Sequence, residues 1–76
     1  MTYNVHFYHA CQGVTSVCAN TTEIGKIRND PKTGRKTLHI SGPNGERWHD
    51  VTRIFNWDHK AMADIVREIA AETGAV

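Results

Sequence analysis

The 76-residue sequence predicts an α+β domain, a three- to four-stranded antiparallel sheet with one C-terminal helix packed on one face. Three observations carry this. The N-terminal segment TYNVHFYH alternates apolar and polar residues, as a half-buried strand does. Two turn signatures, DPKTG and GPNG, stand between β-rich runs. The last quarter of the chain repeats apolar residues at helical spacing. One domain covers residues 1–76, and a chain this short buries only about 60% of its unfolded surface.

In the first segment Tyr3, Val5 and Phe7 fall on one face, and Asn4, His6 and Tyr8 on the other. The next stretch, CQGVTSVCANTTE, is interrupted by Gly13, and VTSVCA is either a second strand or an irregular crossing. IGKIRNDPKTGRKTLHI reads as a hairpin, with Pro31 setting φ for the turn and Gly34 closing it at positive φ. A four-residue PKTG loop pairs Asp30 with Arg35 and Ile27 with Leu38. Ile24 then faces outward unless Gly25 makes a bulge.

GPNG at 42–45 is the second turn. Read as a type I turn with Gly45 as a left-handed bulge, it pairs Gly42 with Glu46 and Ile40 with Trp48. That register gives an inner face of Ile27, Leu38, Ile40 and Trp48. It sets His39 against His49 and Ser41 against Arg47 on the other side. Parity fails beyond Val51, so the strand is expected to bend or end near residues 50–52.

The helix is expected from Asp58 to Thr73. Asp58 is the N-cap, with Asn56 competing for that place. Trp57 and Met62 form a hydrophobic staple, and Gly74 is the stop. Met62, Ile65, Val66, Ile69 and Thr73 form the buried stripe, with Ala70 beside them.

Composition bounds the function classes. With 39% hydrophobic and 22% charged residues the chain is a folded domain rather than a disordered one. No apolar run approaches the roughly 20 residues that span a bilayer, and the N-terminus has no secretory pattern. A cytoplasmic location follows as the expectation, with Cys11 and Cys18 unpaired. The net charge of +1 is unevenly spread. Lys26, Arg28, Lys32, Arg35 and Lys36 stand near Asp30 alone, whereas Asp58, Asp64, Glu68 and Glu72 outnumber Lys60 and Arg67 in the helix.

The two registers together place Lys26, Arg28, Arg35, His39, Arg47 and His49 on one outward cationic face, the candidate partner-binding surface. His9, Cys11 and Cys18 lack the tight ligand pairs of zinc sites, so neither a metal nor another cofactor is expected. His39 facing His49 reads as a solvated pair rather than a ligand pair. There is no nucleophile elbow, phosphate loop or zinc-protease motif, and the chain offers little room for a closed pocket, so no enzymatic activity is expected.

IRNDPKTGRKTLHI at 27–40 and WDHKAMADIVREIAAETG at 57–74 resemble the three-strand-plus-helix DNA-binding domains of AP2 factors and integrase arm-binding domains. The chain departs from them by an added N-terminal strand and the extra hairpin end GPNGERWH. The resemblance implies a nucleic-acid-binding domain that uses a basic sheet face, the alternative function. Net charge far below that of a basic nucleic-acid reader favours another class. That class is a small non-enzymatic binding module presenting one surface to a protein or nucleoprotein complex. Size and class alone suggest a phage or mobile-element accessory inhibitor.

Overall fold

The computed structural model describes residues 3–11, 13–54 and 58–76, with the backbone alone at positions 10 and 11. Among the described residues five strands follow one another as a simple antiparallel meander: β1 (Val5–Cys11), β2 (Val14–Ala19), β3 (Thr22–Asn29), β4 (Lys36–Gly42) and β5 (Gly45–Asp50). One helix, α1 (His59–Thr73), packs on one face. The fold class is the expected one, but the count of three to four strands is corrected to five.

The additional strand is VTSVCA. Its last four residues, on alternating faces, are all buried, so no polar–apolar alternation marks it. Tight turns enclose it. Gly13 takes φ 76° before β2, and Asn20 takes φ 56° in the turn to β3, where Ala19 pairs with Thr22.

β3 and β4 pair in the expected register, Ile27 opposite Leu38 and Lys26 opposite His39. Asp30 N–H donates to the Arg35 carbonyl across the PKTG loop at 2.8 Å, and Gly34 takes φ 74°. The bulge that would turn Ile24 inward, left open by the sequence, is present. Val17 pairs with Gly25 and Cys18 with Glu23, which leaves Ile24 as the extra residue and lets it reach the core. Gly25 itself lies against the backbone of β4. A Cβ there would collide with the His39 carbonyl oxygen and come within 2.8 Å of Ile40 Cγ1.

The second turn corrects the sequence register. Gly42 pairs with Gly45, not Glu46, and every pair along β5 shifts by one: Ile40 with Arg47, His39 with Trp48, Leu38 with His49. A one-residue slip moves each side chain to the opposite face. Trp48 therefore leaves the inner face, and Arg47 and His49 leave the outer one. Val51 follows Arg47 and His49 in parity, and its side chain is fully buried. The parity failure expected at Val51 belonged to the wrong register. β5 does end at Asp50, as expected.

The last turn of α1 holds this hairpin end. Asn44 N–H donates to the Thr73 carbonyl at 2.8 Å, Arg47 Nε lies 3.6 Å from Glu72, and a Cβ on Gly42 would strike the Thr73 carbonyl.

α1 begins as expected. Asp58 is the N-cap, its carboxylate accepting from Ala61 N–H at 3.0 Å. Gly74, left-handed at φ 74°, donates its N–H to the Ala70 carbonyl. Met62, Ala63, Val66, Ile69 and Ala70 are buried against Val5, Val17, Ala19, Ile27, Leu38, Ile40 and Val51, with Ile65 packed at the margin. Thr73 is buried too, its hydroxyl donating to the Ile69 carbonyl at 3.0 Å. Asn56 and Trp57, named as competing cap and staple, lie outside the described residues. No helix among the described residues is long and apolar enough to cross a membrane.

Candidate interaction face

The helix covers one side of the sheet and leaves the other open. Strand pairing aligns one open-side row across all five strands, in the order Tyr8, Ser16, Lys26, His39, Trp48. At about 4.8 Å between strands the row is roughly 19 Å long. Its ends are aromatic and exposed, Tyr8 at 54% and Trp48 at 57%. The second position is small and low, since Ser16 is buried and its hydroxyl donates to Glu23, and the part-exposed Lys26 stands at the centre.

His39 is the pivot of the Trp48 end. Its ring stacks on the indole with centroids 3.8 Å apart and planes 18° from parallel. Its Nε2 lies 3.0 Å from a Glu46 carboxylate oxygen. The imidazole edge and plane are both held, which fixes the indole that rests on it. At the other end the His6 and Tyr8 rings lie 6.0 Å apart.

Three of the six candidate residues, Lys26, Arg28 and His39, share this open side. Arg35 sits at the end of the β3–β4 loop and reaches Asp50 of β5 at 3.7 Å, so it flanks the face. Arg47 and His49 lie on the helix side, and His39 does not meet His49. The expected cationic patch is therefore divided. What remains of it is largely neutralised, with Lys26 Nζ 3.9 Å from Glu23, His39 against Glu46, and Arg35 against Asp50.

Asp50 closes the strand. Hydrogen bonding from Thr52, through its hydroxyl and then its backbone N–H (2.9 Å), holds the Asp50 carboxyl below its ordinary range, and the charges of Arg35 and His49 add to this. Thr52 Oγ1 also accepts from Lys36 N–H at 2.9 Å, which ties the chain back to β4.

The sequence reading missed Trp48 and Tyr8 as site residues. Val51 was the available signal. Making it a core residue requires the parity that turns Trp48 outward.

Among the described residues no group of three or more His, Cys, Asp or Glu side chains gathers in a way that holds a metal. Cys18 is a buried free thiol. Its rung with His6 lies four residues along β2 from the Cys11–Val14 rung, about 13 Å by strand rise and beyond disulfide reach. No protein family, no curated protein and no solved structure matches the chain.

Proposed function

We propose that this chain is a small, non-enzymatic binding module that docks a protein partner on the open side of its sheet. The observation that carries the proposal is Trp48, more than half exposed, held flat on His39 in the middle of an edge strand. Tryptophan and tyrosine dominate the energetics of protein interfaces when a pocket on the partner desolvates them. Trp48 is also pre-organised by the stack, so little side-chain freedom is lost on docking.

Charge supports a protein over a phosphate backbone. Nucleic-acid affinity rises with the number of phosphates neutralised. The basic-face alternative counted Arg47 and His49 on the same side as Arg28, and the register removes both. Glu23, Glu46 and Asp50 offset Lys26 and Arg35. A module of this kind acts by occupying a surface of a larger assembly, the mode of a mobile-element accessory inhibitor.

The test is affinity capture from host lysate, with and without nuclease, comparing the parent with Trp48→Ala. The expected result is a protein retained after nuclease and lost with the variant, whose circular dichroism matches the parent's. Capture that nuclease abolishes would establish the nucleic-acid alternative. Equal capture by parent and variant would remove Trp48, and with it this proposal.

A further inference from the structure

β5 is an edge of the sheet, and it is a regular one. Its pairing with β4 runs unbroken from Gly45 to Asp50 and contains no proline, whereas β1 carries a register shift between His9 and Cys11. An unbroken edge presents a row of free backbone donors and acceptors. The alternation of antiparallel pairs identifies them. Val51 N–H donates to the Lys36 carbonyl at 2.9 Å, so 51 is a bonded position, and 49, 47 and 45 follow it. Glu46, Trp48 and Asp50 therefore turn their N–H and C=O groups to the free side. The same three residues point their side chains onto the open face. Backbone edge and side-chain face meet in one sequence: carboxylate, indole, carboxylate. Both carboxylates remain more than half exposed despite their contacts with His39 and Arg35.

We infer that β5 is a docking edge for an extended basic segment of a partner protein, which adds to the sheet as a sixth strand. This rests on the open-face reading above and names what that face takes. Main-chain hydrogen bonds to Glu46, Trp48 and Asp50 supply the pairing. Lysine or arginine side chains of the segment sit opposite Glu46 and Asp50, and the one between them lies over the indole, whose face attracts a cation. Residues of the segment that alternate with these meet Arg47 and His49 on the other side and are uncharged or acidic.

A second copy of this chain is a poor occupant. The two antiparallel registers of fullest overlap put Glu46 opposite Asp50 of the copy, or Arg47 opposite Arg47 of the copy. Like charges directly opposed are destabilising. The flanking carboxylates repel a phosphate backbone for the same reason.

The experiment uses the full chain, isotopically labelled, and a capped six-residue probe alternating lysine and threonine. Acidic (glutamate–threonine) and alternately N-methylated probes serve as controls. Saturating lysine probe should slow amide exchange at Glu46, Trp48 and Asp50 by about tenfold or more, a local rise in protection that side-chain contact alone does not give. The acidic and N-methylated probes should not bind. Glu46→Lys should weaken the lysine probe and Glu46→Gln less so, since reversal adds repulsion to the lost attraction. Binding without protection of those three amides would overturn strand addition, as would equal affinity for the acidic probe or tighter binding of a single-stranded oligonucleotide. If capture through Trp48 persists in that event, the open face remains the interface and only the strand addition falls. If Trp48→Ala also leaves capture intact, both fall.

Discussion

The competition between Val51 and Trp48 for the inner face has a direct thermodynamic signature. Val51→Ala removes two methyl groups from a fully buried side chain. At about 0.8 kcal/mol per buried carbon, with a further contribution from the cavity left behind, the loss is roughly 1.5–3 kcal/mol. Trp48→Ala deletes a much larger side chain that is more than half exposed. It forfeits mainly the stack on His39, an aromatic pair of about 0.5–1.5 kcal/mol. Each kcal/mol shifts the melting temperature of a domain this size by about 4–8 °C. Val51→Ala should therefore melt on the order of 6–24 °C below the parent, and Trp48→Ala nearer to it. Urea denaturation at constant m-value gives the same comparison isothermally. A Trp48→Ala variant less stable than Val51→Ala would refute the register and return the indole to the core.

Ile69→Ala should cost about 2–5 kcal/mol, because Ile69 is a large buried side chain between helix and sheet, and an unchanged denaturation midpoint would show that the helix does not pack there. Gly25→Ala should destabilise more than an ordinary surface change, since its Cβ meets the β4 backbone carbonyl of His39 even before the Ile40 side chain, and a melting temperature equal to the parent's would show that the two strands do not approach so closely. The Asp50 carboxyl, followed by carbon-detected NMR, should titrate below the ordinary aspartate range and rise toward it in Thr52→Val, which lacks the hydroxyl. With the folded value depressed, its contribution to stability is present above the unfolded pKa and lost as pH falls through the folded one, so Asp50→Asn should flatten that part of the acid limb.

The elements legible in the sequence were those with local signals. Pro31 and Gly34 fixed a turn, and the β3–β4 register followed from it. Asp58 and Gly74 bounded the helix. Ile24 was legible only as a condition, because a bulge depends on what the neighbouring strand does and Gly25 merely permits it. β2 was ambiguous because its outer-facing Ser16 and Cys18 are buried along with Val17 and Ala19, which erases the alternation. The β4–β5 register was misread for a different reason. Pro43 and Gly45 allow more than one turn, and helix contacts to Asn44 and Gly42 lie about thirty residues away in sequence, beyond any local pattern. Two of the six candidate residues depended on that one choice, so Lys26, Arg28 and His39 stayed on the open side while Arg47 and His49 crossed over.

The clamp between the β4–β5 turn and the last turn of the helix links two segments that would otherwise fray independently. Asn44 N–H is satisfied only while Thr73 stays helical, and the seat for Gly42 exists only while that carbonyl is in place. Hairpin tip and helix end then open as one cooperative unit, and the amides of Asn44, Gly74 and Ala75 exchange with solvent through a shared event. Any molecule that stiffens β5 draws its stabilisation partly from the far end of the helix, and that end, remote from the open face, reports whether the face is occupied.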